Sequence, residues 1–183
     1  YNFLRDKQLI IDNGGVFPGT DPLMLAPEGL YKGIGTLYPY LGAYSYMLFS
    51  AFSPSIPIEQ FMIWYPALLA SLMAIPIYFL TKKLYDKKAG VMTAMLIVFD
   101  ISIISRTLGG DPDNDGIVLL LPLIIITAFV YLQDYLSKKN KFDIRTITYS
   151  VILGIVLAGW TWSWGGYWFV IWIMIGFIVL KPA

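Results

Sequence analysis

Three aspartates, Asp111, Asp113 and Asp115, alternate over five residues of a chain that is otherwise 57% hydrophobic. Acids at this spacing in a loop, here called the acidic turn, can direct several carboxylate oxygens at one hard cation. The 183 residues include no cysteine and no histidine. A metal would therefore be held by oxygen, which favours Mg²⁺ or Mn²⁺. A calcium-binding loop is excluded, because its twelfth position requires glutamate and is Pro122 here.

The alternative for the acidic turn is a loop that its acids simply keep hydrated. The acids stand directly before an apolar run that begins at Gly116, and the N-terminus of a helix favours carboxylates. That preference would account for one acid but not for three. A cation site is therefore favoured, and the hydrated loop stays open as the alternative.

Two more charged residues lie in or beside the apolar segments. Arg106 precedes Asp113 by seven residues, and its guanidinium could pair with an acid or hold an anionic substrate. It could equally anchor a helix end at the membrane interface. Asp100 lies inside an apolar segment, where an ionisable residue is by default a functional hypothesis. Its place near the segment's end favours snorkelling or a local partner over catalysis.

An aromatic cluster surrounds the diglycine Gly165-Gly166, and residues 162–167 are here called the tryptophan turn. The cluster consists of Trp160, Trp162, Trp164, Tyr167, Trp168 and Trp172. Such residues commonly form the aromatic belt at a membrane interface. Around a glycine turn they could also line a groove for a lipid headgroup or a sugar. The sequence contains no nucleophile–base pair and no glycine-rich nucleotide loop.

Helices must position these residues. Uncharged runs near the 20 residues that a span needs predict membrane spans at 61–80, 89–105, 116–133 and, as two spans joined at the diglycine, 146–180. A shorter tyrosine-rich run at 37–52 predicts a helix lying on the membrane surface. We therefore expect an all-α, polytopic membrane helical bundle with about five transmembrane helices and one interfacial helix.

Residues 1–57 are expected to form an outer loop with the interfacial helix, and residues 58–183 the transmembrane bundle. Asn2 to Asp12 predicts a short helix, and the turn-rich stretch after it, the first loop (13–35), is expected to be ordered, with a solvated connector as the open alternative. Nine of the 13 lysines and arginines fall on one side of this arrangement. The positive-inside rule places them in the cytoplasm. The acidic turn, the first loop and the tryptophan turn then share the extracytoplasmic side.

The charge balance and the chain ends indicate further expectations. A net charge of +1 gives no indication of nucleic-acid binding. The chain begins at Tyr1 without a signal peptide and ends at Ala183, just after an apolar run. We expect it to be a piece of a larger membrane protein.

With these residues in view, nearly the whole chain resembles the catalytic subunit of archaeal oligosaccharyltransferases. The motifs that carry the resemblance are Ser105-Arg106-Thr107 followed by Asp113-Asn114-Asp115, Trp164-Gly165-Gly166-Tyr167, and the first-loop stretches Gly19-Thr20-Asp21-Pro22 and Pro27-Glu28-Gly29. The combination of arginine-threonine and Asp-x-Asp between two membrane spans is fairly specific, whereas Asp-x-Asp alone is weak.

The resemblance implies a GT-C type membrane glycosyltransferase. Such enzymes move an oligosaccharide from a lipid-linked donor to the asparagine of an acceptor polypeptide that contains Asn-x-Ser/Thr. The resemblance also implies Mn²⁺ or Mg²⁺ held by Asp113 and Asp115, with Arg106 as the arginine before the acidic motif. The region that meets the lipid-linked donor maps onto Trp162, Trp164, Gly165, Gly166 and Tyr167.

The family pattern is incomplete within these residues. Its first metal-binding aspartate falls upstream of Tyr1, and a further acid and the soluble domain that reads Ser/Thr fall beyond Ala183. We therefore expect the piece to be inactive alone. Asp111 is an extra acid whose role the pattern does not define. Two alternatives stay open: a transporter or channel whose outer acids collect cations, and a GT-C transferase with a different acceptor.

Overall fold

The computed structural model describes residues 2–33, 35–108, 113–139 and 143–180. The extra acid Asp111 therefore lies outside the described residues. The chain divides into two compact units, one formed by Tyr1–Leu68 with Thr107–Asn114, the other by Leu69–Arg106 with Asp115–Ala183. The expected boundary between residues 57 and 58 concerns the membrane and stays a prediction.

The first unit begins with helix α1 (Asn2–Asp12), which confirms the predicted short helix. Beyond its end, the backbone N–H of Gly15 donates to Ile10 O and that of Gly14 donates to Ile11 O. These two bonds form a Schellman motif, which requires a left-handed residue after the helix. Gly14 has a φ of 68°, which glycine adopts without strain.

The first loop, described except for residue 34, contains two short antiparallel strands, β1 (Thr20–Asp21) and β2 (Leu30–Tyr31), where the sequence predicted a loop without strands. Helix α2 (Leu37–Ser50) follows and packs on α1. The core of this unit consists of the buried side chains Ile10, Phe17 and Ala43, with Leu9, Ile11 and Tyr40 packed against them. The location of α2 on a membrane surface stays a prediction.

Helix α3 (Ile58–Leu72) contains the boundary between the units. The helices of the second unit are α4 (Ala74–Leu84), α5 (Lys87–Val98), α6 (Ile101–Arg106), α7 (Asp115–Lys139), α8 (Ile144–Ser163) and α9 (Trp168–Leu180). Its core consists of Ile125, Phe129, Leu132, Leu153, Trp160 and Val170. The expected helical membrane bundle is therefore confirmed.

Within the part of the chain that the structure describes, three helical stretches are long and apolar enough to cross a membrane. They are Ile58–Leu84, Asp115–Lys138 and Ile144–Ser163, and they contain the predicted spans 61–80 and 116–133 and the first part of 146–180. Helix α9 is apolar but shorter, with 13 residues. The predicted span 89–105 is two helices, α5 and α6.

Asp100 lies at the break between α5 and α6. Its Oδ1 accepts hydrogen bonds from the backbone N–H groups of Ser102 at 2.9 Å and Ile103 at 3.1 Å. These bonds satisfy donors at the start of α6, as an N-terminal capping residue does. The local partner that the sequence favoured for Asp100 is therefore present.

Contacts along α7 fix the directions of its neighbours. The Thr127 hydroxyl donates to Pro76 O at 3.1 Å and the Tyr131 hydroxyl donates to Phe79 O at 3.2 Å, so α4 and α7 run parallel. At their far ends Lys83 forms an ion pair with Asp134.

Helix α8 runs back along α7, since Tyr135 near the end of α7 contacts Asp143 and Tyr149 at the start of α8. The start of α7 and the end of α8 therefore share one end of the second unit. The lysines that follow α4 and end α7 lie at the other end.

Candidate functional site

Arg106 and Asp115 meet as an ion pair, with 3.3 Å between Arg106 Nη1 and Asp115 Oδ2. Arg106 is the last residue of α6, and Asp115 is the first of α7. The start of a helix stabilises a carboxylate, which explains why Asp115 is placed there. The Arg106 side chain is 65% exposed and that of Asp115 is 29% exposed. An accessible pair of this kind contributes little to stability, and its groups stay available for a ligand.

Asp113 lies two residues before α7 and is half-buried. Its Oδ1 accepts a hydrogen bond from the backbone N–H of Asn114 at 2.6 Å. Asp113 belongs to the first compact unit and Asp115 to the second, so the acidic turn contributes one described carboxylate to each. The structure pairs Asp115 with Arg106.

Lys7 is a charged residue of the first unit that the sequence did not single out. It is fully buried, with its Nζ 4.0 Å from the centroid of the Tyr38 ring and 5.8 Å from that of Tyr65. Burial lowers the pKa of Lys7 to about 7, while the carboxylates of Asp6 and Asp113 act in the opposite direction. The sequence did contain one indication of this burial. Lys7 precedes the buried Ile10 by one helical turn, so both side chains lie on the same face of α1.

The described carboxylates of the acidic turn have the chemistry that a hard cation requires of its ligands. The described acids of the turn, Asp113 and Asp115, offer carboxylate oxygens, the ligands that Mg²⁺ and Mn²⁺ prefer. Among residues 2–33, 35–108, 113–139 and 143–180, no group of three or more aspartate, glutamate, histidine or cysteine side chains is gathered to hold a metal. Each of the two carboxylates suits a hard cation by its chemistry, and a metal would need further ligands.

The tryptophan turn is organised around Trp160. This side chain is fully buried, its Nε1 donates to Tyr167 O at 3.2 Å, and its ring lies 5.6 Å from that of Trp164. A Cβ added to Gly166 would overlap the Trp164 ring, whereas one added to Gly165 would meet nothing within 4 Å. Trp162, Trp164 and Tyr167 remain exposed. The aromatic side chains predicted to bind the donor are therefore accessible, and the buried Trp160 contacts Trp164 and the backbone of Tyr167.

The first loop is held by buried charge. Asp21 is fully buried and accepts hydrogen bonds from Arg5 Nε at 2.6 Å and Arg5 Nη2 at 2.5 Å. The hydrogen bonds from Arg5 lower the pKa of Asp21 to about 2. Lys32 forms a second ion pair with Asp6 at 2.7 Å. The loop motif that contains Asp21 is therefore attached to α1.

The position of the tryptophan turn relative to α7 follows from the helix directions. Helix α8 ends at Ser163 and α7 begins at Asp115, and both termini lie at the same end of the second unit. The exposed Arg106–Asp115 pair and the tryptophan turn therefore lie at the same end of the second unit.

The chain is similar to known proteins in both sequence and fold. The chain is 23% identical to the dolichyl-phosphooligosaccharide-protein glycotransferase of Methanococcus voltae, over 98% of this chain and 20% of that protein. Its fold matches the archaeal oligosaccharyltransferase AglB from Archaeoglobus fulgidus, in complex with an inhibitory peptide and a dolichol-phosphate, with a TM-score of 0.82 and 24% identity. That match covers 96% of this chain and 21% of the other.

A second structure of the Archaeoglobus fulgidus enzyme is tethered to an acceptor peptide containing the NVT sequon. It matches 96% of this chain and 21% of that protein, with a TM-score of 0.77 and 25% identity. The chain thus spans about a fifth of the length of these relatives. Residues 1–181 match the family described as oligosaccharyl transferase STT3, N-terminal. The chain belongs to the oligosaccharyl transferase STT3 family, of which it represents the N-terminal region.

Proposed function

We propose that the complete gene product containing this chain is an oligosaccharyltransferase. It transfers an oligosaccharide from a lipid-linked phosphate donor to the asparagine of Asn-x-Ser/Thr in an acceptor polypeptide. The observation that carries this proposal is the family match over residues 1–181. Its relatives include a dolichyl-phosphooligosaccharide-protein glycotransferase and an enzyme tethered to an NVT peptide.

The reaction joins the amide nitrogen of asparagine to the sugar's anomeric carbon. The bond from that carbon to the phosphate oxygen breaks with its electron pair leaving on that oxygen, and the proton that the amide nitrogen loses passes to solvent. Negative charge therefore develops on the phosphate. Positive groups aimed at that charge lower the barrier. Arg106, exposed and only loosely held by Asp115, is suited to bind the phosphate as it departs.

Asp113 and Asp115 would hold the divalent cation, Mn²⁺ or Mg²⁺, as part of its ligand set. When bound, such a cation supplies positive charge beside the phosphate and helps to orient the acceptor. The remaining ligands would come from residues outside the described part of the chain. Asp113 is half-buried just before α7, and Asp115 is the first residue of α7.

The tryptophan turn would bind the lipid-linked donor. Trp162, Trp164 and Tyr167 present aromatic surface, which suits the boundary between lipid and water. The charge distribution supports an extracytoplasmic location for this end of the second unit, because its other end carries the lysines after α4 and in α7. The reaction would then occur on the outer side of the cell membrane.

The test uses the complete gene product with a lipid-linked oligosaccharide and a peptide containing Asn-x-Thr. Mass spectrometry should detect a glycopeptide modified on asparagine. A chelator should abolish the product and added Mn²⁺ should restore it, while a Gln-x-Thr peptide should give none. Product on serine or threonine would instead indicate a GT-C transferase with a different acceptor. Metal-independent ion flux in liposomes without glycopeptide would indicate a transporter.

A further inference from the structure

A groove bounded by α4, α7 and α8 lies within the second unit and has a volume of about 480 Å³. Its lining includes Ile75 and Phe79 of α4, Ile124 of α7 and Ile152 of α8. All three helices belong to stretches that are long and apolar enough to cross a membrane. An apolar wall of this kind stays dry, because it offers water too few hydrogen-bonding partners. The groove therefore suits a hydrocarbon group.

Two hydroxyl groups of α7 that lie in the wall are already used by the protein. The Thr127 hydroxyl donates to Pro76 O at 3.1 Å, and the Tyr131 hydroxyl donates to Phe79 O at 3.2 Å. These bonds join α7 to the backbone of α4. A ligand in the groove would therefore meet the apolar parts of both side chains without having to replace a hydrogen bond.

The groove is narrower than an α-helix. Its lining residues on α7 extend from Leu120 to Tyr131, which is roughly 16 Å at about 1.5 Å per residue. The volume of about 480 Å³, spread over that length, gives a cross-section of about 30 Å², whereas a helix about 10 Å wide needs about 80 Å². The groove therefore fits a single extended chain, such as a hydrocarbon chain of a lipid.

Basic residues lie at one end of the groove. Lys83 follows Phe79 by one turn of α4, and its Nζ lies 5.4 Å from the centroid of the Tyr131 ring, which lines the groove. Arg145 is exposed and precedes the lining residue Tyr149 by one turn of α8, so both lie on one face of that helix. Because α8 runs back along α7, Lys83 and Arg145 lie at the same end.

The acids at this end already have partners. Asp134 forms ion pairs with Lys83 and, at 3.0 Å, with Lys138. Asp143 accepts a hydrogen bond from the backbone N–H of Arg145 at 3.1 Å. Since one carboxylate is shared between two lysines, this end of the groove keeps a net positive charge, which favours an anion.

We propose that the groove binds an anionic phospholipid of the surrounding membrane. One hydrocarbon chain lies between α4, α7 and α8, and the headgroup phosphate lies at the basic end formed by Lys83 and Arg145. Basic sites between membrane helices favour anionic headgroups, and lysine and arginine stems extend along apolar surface while their charges reach the interface. The lipid is a structural ligand of the second unit, and its binding does not depend on the transferase reaction.

The headgroup is tested by native mass spectrometry of the complete gene product, titrated in detergent with phosphatidylglycerol or phosphatidylcholine. The wild type should bind phosphatidylglycerol at least about fivefold more tightly. Lys83→Gln and Arg145→Gln should each weaken phosphatidylglycerol binding about fivefold and leave phosphatidylcholine binding unchanged. The matched control is Lys82→Gln, which removes the same charge from the adjacent position, beside Gly90 of α5. It should leave binding of both lipids unchanged.

The groove itself is tested by filling it. Ile152→Trp places a larger side chain in the groove and should weaken binding of both lipids at least about tenfold, because the hydrocarbon chain loses its contacts. Ile155→Trp is the matched control, since Ile155 is 66% exposed on the same helix and does not line the groove. It should bind both lipids like the wild type.

Three results would overturn the proposal. The first is equal affinity of the wild type for the two lipids. The second is an equal loss from a variant and its matched control; the charge variants provide this comparison even if Ile152→Trp does not fold. The third is no bound lipid in the wild type together with a lower Tm of Ile152→Trp in lipid-free detergent, which would show that another part of the complete protein fills the groove.

Discussion

The first loop and the tryptophan turn are both rich in glycine, yet different forces hold them in place. In the first loop, Asp21 is fully buried and bound through two hydrogen bonds from Arg5. In the tryptophan turn, the buried Trp160 packs against Trp164 and bonds to the backbone of Tyr167. One region depends on charge and the other on ring packing.

Because different forces hold the two regions, we expect their stabilities to respond differently to pH. A buried ion pair loses its attraction when the carboxylate is protonated, whereas packed rings carry no titrating group. The exposed Arg106–Asp115 pair belongs to neither kind, since water screens it. Buried charge therefore holds the first loop, whereas the charges of Arg106 and Asp115 stay accessible to solvent.

Removal of Asp21 should have the largest effect on stability. Asp21→Ala leaves the Arg5 guanidinium beside a buried position with no carboxylate, and breaking one side of a buried pair is strongly destabilising. We expect the Tm to fall by roughly 8 °C. Glu28→Ala, which removes an exposed acid of the same loop, is the control and should leave the Tm unchanged. A fall below about 2 °C would mean that charge does not hold this loop.

Acid should weaken the first loop selectively. The pKa of Asp21 is about 2 in the folded chain against an ordinary 3.8. Because the folded value is the lower one, the ionised pair adds stability above about pH 4, and this contribution is lost as the pH falls through about 2. The Tm difference between the wild type and Asp21→Asn should therefore shrink across that range. A difference that stays constant would contradict the assignment.

The tryptophan turn should respond to added volume and not to pH. In Gly166→Ala, the added methyl group would overlap the position of the Trp164 ring. We expect this substitution to lower the Tm by about 3 °C and to shift the tryptophan fluorescence. Gly165→Ala is the matched control, because its Cβ would meet nothing within 4 Å. The Gly166→Ala deficit should be the same at pH values near 6 and 3. Equal effects of the two substitutions would show that ring packing does not fix the turn.

The Arg106–Asp115 pair should give the smallest effect on stability. Arg106→Ala removes an exposed pair, so we expect the Tm to change by less than about 1 °C. Glycopeptide formation should nevertheless fall, because the phosphate loses its cationic partner. A large Tm loss would instead place Arg106 in the scaffold.

Much of the fold could be predicted because apolar runs and turn residues are local signals. The helix Asn2–Asp12 has the predicted bounds, and the apolar runs of the spans predicted the long helices of the second unit. The break at Asp100 was harder to predict, because an apolar run does not show where a carboxylate will cap a new helix. Pairing of Arg106 with an acid was one of the predicted alternatives, and the structure pairs it with Asp115.

The environment of Lys7 could not be predicted from local pattern. Its burial depends on Tyr38, Gly42 and Tyr65, which lie on other helices. A lysine in a short helix is ordinarily solvated. Lys7 lies one helical turn from Ile10, and it becomes buried with Ile10 only when α1 packs on α2. The roles of Asp113 and Asp115 in metal binding, and of the tryptophan turn in donor binding, stay predictions.

The most direct test of the central claim is glycopeptide formation by Asp113→Ala in the complete gene product, measured across a Mn²⁺ titration. The control is Asp100→Asn, an acid whose partners are backbone groups of α6. We predict that Asp113→Ala loses at least about a hundredfold in rate at every Mn²⁺ concentration, whereas Asp100→Asn stays close to the wild type. A wild-type rate and Mn²⁺ dependence in Asp113→Ala would contradict the assignment of the acidic turn as the catalytic metal site.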